Sequence, residues 1–213
     1  MISISLCMIV KNEELVLGRC LDSVKKLVDE IVIVDTGSTD NTKNIAKEYT
    51  DKIYDFIWID DFSAARNYSF SKATKDFILW LDADDIILEK DALDFMELKK
   101  SLSLSTDIVN MKYNVSFDKD DNPTFTFYRE RLIKNSPQFK WVGAVHEIIP
   151  PIGNIINSDI AISHKKLKVN DPERNLKIYN KLIANNELLT PRALYYYGRE
   201  LYYNSKYEIN RSI

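Results

Sequence analysis

The chain has 213 residues, 45% of them hydrophobic and 29% charged, with a formal charge of −3. This balance suits one sizeable buried core plus a partial second element and excludes a disordered polymer. An acidic chain also lacks the basic face that a nucleic-acid partner needs, although local cations can still hold a small anion.

The apolar start, Ile2 to Val10, is too short for a signal sequence and far too short to span a bilayer, so no transmembrane segment is expected. Cys7 lies in an apolar strand-like run and Cys20 on a helical stripe. Both read as buried thiols of a reducing compartment, and the expected location is cytoplasmic.

Ile4 to Val10 predicts a first strand, followed at once by Lys11, Asn12 and Glu13. Leu17, Cys20, Leu21 and Val24 recur at helical spacing and predict an amphipathic helix from Glu13 to Val28 with an acidic first turn. Glu30 to Asp35 is a β-branched second strand ending in a carboxylate. Thr36 to Asp40 is then a turn leading to the N-cap of a helix through Ile45, Ala46 and Tyr49. Lys52 to Trp58 predicts a third strand, Phe62 to Lys72 a third helix, and Phe77 to Leu81 a fourth strand buried on both faces.

Such alternation requires a mostly parallel sheet, in which ligands bind outside the carboxyl ends of the strands. Asn12, Asp35 and Asp82 therefore converge on one edge. If the fourth strand stays extended through Asp82-Ala83-Asp84-Asp85, Asp82 and Asp84 project to the same side and repel unless a cation separates them. A hard divalent ion is the natural occupant and would leave sites for phosphate oxygens; a solvated turn is the alternative reading. For Asp35 the alternative is turn capping through Thr36-Gly37. The first strand is followed by Lys11-Asn12-Glu13-Glu14 rather than G-x-G-x-x-G, and a Gly-Lys-Ser/Thr phosphate loop is missing. A metal on Asp84 and a cation such as Arg66 would have to neutralise phosphates instead.

In order, MIVKNE, VDTGSTDNT, FSAARN and LWLDADD resemble the inverting, nucleotide-sugar-dependent glycosyltransferases of the GT-A fold, the large family two, over Ile4 to Asp85. The resemblance implies an α/β, Rossmann-like, mostly parallel sheet flanked by helices. It implies nucleotide-sugar contacts from Val10, Asn12, Glu13, Asp35, Gly37, Ser38, Arg66, Asn67, Asp82 and Ala83. Within that set Asp35 would touch base or ribose, Arg66 would lie near base and diphosphate, and Asp82 would face the ribose, with Asp84 on the metal.

Beyond Asp85, Asp91 to Ser101 predicts a helix. Ile108 to Val115 and Thr124 to Tyr128 predict a hairpin closed by the polar turn Asp118 to Pro123. Arg129 and Arg131 face acceptor or diphosphate, or lie on a solvated strand edge. Trp141 to Glu147 resembles the W-x-G-x-x-H-E segment of glycosyltransferases that carry tetratricopeptide repeats. That likeness makes Glu147 the favoured general base over Asp85 and His146. His164, after a strand-like run, becomes a third metal ligand, suiting Mn2+ better than Mg2+.

Asp171 reads as a helix cap with Pro172 at the first position, and Pro191 opens a further helix near the positions of a first tetratricopeptide helix, its partner beginning near Glu208. The expected organisation is a GT-A domain over 1–168 and a helical segment over 169–213. The expected activity is metal-dependent, inverting transfer from a UDP-sugar to a peptide, protein or cell-envelope glycan. A non-catalytic helical-repeat scaffold is one rival. A sugar-phosphate nucleotidyltransferase is the other, although the glycine-rich, arginine-containing loop it needs is missing. The tyrosine-rich tail suggests self-association, and removing the chain after Leu189 is expected to spare donor hydrolysis.

Overall fold

The computed structural model describes residues 1–167 and 171–211, so the expected boundary between 168 and 169 lies outside the described residues. The first half alternates as expected: β1 (Ile4–Val10), α1 (Leu17–Val24), β2 (Glu30–Asp35), α2 (Thr42–Lys47), β3 (Ile53–Asp55), α3 (Phe62–Phe70) and β4 (Phe77–Trp80). The second half adds β5 (Asp85–Ile87), α4 (Glu89–Ser101), the hairpin of β6 (Ile108–Phe117) and β7 (Pro123–Lys134), then β8 (Ile155–His164), α5 (Arg174–Ala184) and α6 (Pro191–Arg211).

The strands form one α/β sheet in the order β3-β2-β1-β4-β7-β6-β8-β5. β1 to β4 are mutually parallel; β7 runs antiparallel to both β4 and β6, β8 parallel to β6, and β5 antiparallel to β8. Alternation within β4 explains its apolar run. Phe77 and Leu79 pack into one core with Leu6, Met8, Leu17, Leu21 and Phe95, while Ile78 and Trp80 pack into a second core with Val32, Phe139 and Trp141.

Several expected boundaries move for physical reasons. α1 starts at Leu17 rather than Glu13 and has no acidic residue in its first turn. The N–H groups of Glu13 and Glu14 donate instead to Thr42 Oγ1 and Asp40 Oδ2, tying the chain after β1 to the loop after β2. α5 begins at Arg174, and Asp171 holds the preceding turn, accepting the Glu173 N–H at 2.9 Å. α6 is continuous through Arg211, so the break expected before Glu208 is not there. β7 is an interior strand, so the solvated edge weighed for Arg129 and Arg131 is replaced by a fully buried position for Arg131 and a half-buried one for Arg129. Among the described residues no helix is long and apolar enough to cross a membrane.

Candidate active site at the carboxyl edge of the sheet

Strand order reverses between β1 and β4, which is where an open α/β sheet leaves a crevice. An open cavity of about 750 Å³ lies there, walled by Val10 to Glu13 after β1, Thr36 after β2, and Trp80 and Asp82 to Asp84 after β4. Arg66, Arg129, Tyr113, Glu147 and His164 also face it.

β4 does not continue extended. The Asp85 N–H donates to the Asp82 carbonyl at 3.0 Å, closing a turn, and Asp82 is not among the Asp84, Asp85 and His164 atoms that lie within 4.8 Å of one another. Asp82 accepts from Arg66 Nη2 at 2.9 Å. Burial raises the Asp82 carboxyl, but Arg66 and Arg131 outweigh that and hold it well below the usual carboxylate range. Asp84 faces His164 at 3.3 Å. With no arginine against it, burial and the charges of Asp82 and Asp85 raise its carboxyl above the ordinary value.

Asp85 is fully buried and does not line the cavity, which corrects its place among the candidate bases. Its Oδ2 accepts the Asp82 N–H and Arg131 Nη1, both at 3.0 Å, and its Oδ1 accepts the Tyr113 hydroxyl at 2.9 Å and faces His164 Nδ1 at 3.1 Å. Arg131, itself fully buried, lies between the rings of Trp80 and Tyr113 at 3.9 and 4.1 Å. A carboxylate so engaged has no lone pair to offer an acceptor.

Two loops form the wall beside β1 and β2. Asp35 Oδ1 accepts the N–H groups of Gly37 and Ser38 at 2.9 Å, while Oδ2 is buried with no hydrogen-bond partner among the described residues. Turn capping thus uses half the carboxylate and leaves the other half desolvated, the state expected of a group awaiting a donor. Gly37 adopts φ +103, open to glycine at little cost. Ser38 and Asn12 cross-link the loops: the Asn12 N–H donates to Ser38 Oγ at 2.9 Å and the Thr39 N–H to Asn12 Oδ1 at 2.7 Å. Val10, Asn12 and Glu13 line the cavity; Asp35, Gly37 and Ser38 stand behind it.

The third wall is the segment from Trp141 to Glu147. Asn67 on α3 exchanges two hydrogen bonds with the Trp141 backbone, at 3.0 and 2.9 Å, so it anchors this segment from behind and does not line the cavity. Arg66, one residue earlier, enters between Trp80 and Trp141 and gives its Nε to Glu147 Oε1 at 2.7 Å. Burial would lower the Arg66 guanidinium, but Asp82 and Glu147 raise it above its ordinary value. His146 adopts φ +52, stacks on Tyr196 of α6 at 4.1 Å, and places Nε2 2.7 Å from Glu200 Oε1. The helical segment is therefore docked: Val145, Ile178 and Tyr179 form a buried cluster with Trp58, Phe62 and Tyr197, and Arg174, Asn175, Arg192 and Tyr196 complete the cavity wall.

Residues 5–149 match the family described as glycosyl transferase family 2. The chain belongs to that family. A TPR repeat-containing protein of Synechococcus elongatus is 40% identical over 163 residues, covering 70% of this chain and 36% of that protein. The SPbeta prophage-derived glycosyltransferase SunS of Bacillus subtilis is 29% identical over 214 residues, covering 94% and 49% respectively. This family 2 chain thus spans half or less of the length of these relatives. Among solved structures, S. aureus TarS 1-349 in complex with UDP superposes with a TM-score of 0.55 at 17% identity over 93% of this chain and 68% of that one. A mycobacterial protein superposes with a TM-score of 0.63 at 13% identity, covering 88% and 76%. Both likenesses establish the GT-A fold.

The family implies a divalent cation, and the residues fit one. Asp84, Asp85 and His164 offer ligand atoms within 4.8 Å of one another, and the raised Asp84 carboxyl is the signature of a negative cluster that a cation would relieve. Asp85 is already engaged, so Asp84 and His164 are the two that can turn to an ion. Sequence reasoning missed Tyr113 and the arginines and tyrosine of α5 and α6. An arginine running directly into the apolar pair Leu132-Ile133 was the available signal for a buried ion pair; Arg174 and Arg192 carry no comparable mark.

Proposed function

We propose that this chain is the donor-binding and catalytic part of a metal-dependent, inverting glycosyltransferase that uses a UDP-sugar and a peptide, protein or cell-envelope glycan acceptor. The observation carrying this reading is that one cavity brings together the Asp84–His164 pair and the carboxylate of Glu147, at the strand-order reversal where open α/β sheets bind ligands. The presence of UDP in the TarS complex supports the choice of base.

In this reading Asp35 steadies the uracil and ribose wall from behind through the Gly37–Ser38 turn and Asp82, fixed by Arg66, borders the ribose, with Val10, Asn12, Glu13 and Ala83 shaping the wall. Gly37, Ser38 and Asn67 act behind them as loop and segment anchors. Asp84 and His164 would hold Mn2+ or Mg2+, which would supply Lewis-acid neutralisation of the departing diphosphate. Glu147 takes the acceptor proton as the acceptor oxygen forms its bond to C1 and the C1–phosphate oxygen bond breaks on the opposite face. Arg66 engages Glu147 Oε1, and Oε2 has no partner among the described residues. His146, held by Tyr196 and Glu200, positions the loop. Self-association through the outer face of α6, where Tyr195, Tyr202 and Tyr203 are exposed, belongs to the same reading.

The deciding experiment is UDP release from UDP-sugars by the purified chain with manganese, with magnesium, and with chelator. Metal-dependent release supports the proposal; a rate unaffected by chelator, or none with any UDP-sugar, refutes it.

A further inference from the structure

Arg66 is the cation that the sequence suggests for neutralising a diphosphate, yet its guanidinium is committed, Nε to Glu147 and Nη2 to Asp82, with Trp80 and Trp141 flanking it. Arg129 is drawn towards its neighbour Glu130 at 3.4 Å. Two further arginines line the same cavity, and both come from the helical segment: Arg174 at the start of α5 and Arg192 at the start of α6. Among the described residues neither makes an ion pair.

Both are nevertheless held in place. Arg174 lies over the Phe62 ring at 4.8 Å and donates from Nε to Asn175 Oδ1 at 3.3 Å. Arg192 lies over Tyr196 at 4.8 Å and donates to the His146 carbonyl at 3.3 Å. Burial lowers the Arg174 guanidinium, only partly offset by Glu147 and Asp82, as for a cation short of an anion. Planar guanidinium groups held on aromatic faces suit phosphate oxygens, which accept two N–H groups at once.

We propose that Arg174 and Arg192 bind the diphosphate of the nucleotide, so that helices outside the family-matched residues complete the donor site. This rests on the uridine-nucleotide reading above. It places the anion between the strand ends and the docked helices, with the Arg66 cluster fixing the floor.

The test is calorimetry on the full chain with manganese, using UDP directly and uridine by competition, for wild type, Arg174→Ala, Arg192→Ala and the corresponding lysine variants. Each alanine variant should lose about ten- to a hundred-fold in UDP affinity, the worth of a charged hydrogen bond. Uridine affinity should stay within about two-fold, and lysine should restore part of the UDP loss as a point charge. UDP affinity unchanged in both alanine variants, or equal losses for UDP and uridine, overturns this assignment alone. A wild-type chain that binds neither ligand overturns the uridine-nucleotide reading as well.

Discussion

Asp85 and Asp84 are adjacent carboxylates with opposite expected behaviour. Asp85→Asn removes the charge facing fully buried Arg131 and should cost about 3–5 kcal/mol in chemical denaturation, the cost of stranding a buried charge. Asp84→Asn relieves crowding among like charges, so stability should hold or rise slightly while manganese affinity is lost. Glu147→Gln should slow transfer by about two to four orders of magnitude with UDP affinity nearly unchanged; steady-state kinetics beside calorimetry decides, and retained transfer removes Glu147 from the role. Away from the cavity, buried Glu30 accepts from Ser5, Lys52 and Thr74. Burial opposes its charge, but these donors, Lys52 first, lower its carboxyl from 4.5 to about 2. A depressed carboxyl stabilises the fold above its unfolded value and loses that contribution as pH falls towards 2. The gap between wild type and Glu30→Gln, on the order of 3 kcal/mol at neutral pH, should therefore close between about pH 4.5 and 2. At this scale the motifs were legible but several partners were not. Asp82, Asp84 and Glu147, singled out from spacing and resemblance, do line one cavity, whereas the pairing of Asp82 with Arg66 depends on a turn that spacing cannot reveal.

Among elements, the strands were the most legible because β1, β2 and β4 are buried on both faces and read as unbroken apolar runs. Helix starts were less so, since side chains from other loops compete for the first N–H groups, as Thr42 does for Glu13. The tail shows the same limit more strongly. Its sequence left open a fragment of a repeat region or a helix docked on the first domain; Tyr196 and Tyr197 pack against the Val145, Ile178 and Tyr179 cluster and Glu200 reaches His146. Deleting residues after Leu189 removes Arg192, Tyr196 and Glu200 together. Donor hydrolysis is therefore expected to fall at least about ten-fold, the worth of one charged contact, reversing the expectation from sequence. Assay of the purified truncated chain, with its circular dichroism checked, measures this.

For the whole molecule, the cavity is bordered by β1, β2 and β4 from the parallel half and by β7, β6 and β8 from the mixed half. A ligand that binds there bridges both halves and should stabilise the fold by mass action. Manganese with UDP should raise the thermal midpoint of wild type but not of Asp84→Asn, as differential scanning fluorimetry would show; an equal rise in both would remove Asp84 from the site. The Asp85 cluster also fixes the order in which the site can come into being on the ribosome. Tyr113 lies 28 residues after Asp85, Arg131 46 and His164 79. A growing chain therefore meets its tyrosine first, then its arginine, and its histidine last, when β8 closes against β5. The aspartates spend much of synthesis without the imidazole that completes them, so the cluster of Asp84, Asp85 and His164 cannot be whole before the sheet behind it is built.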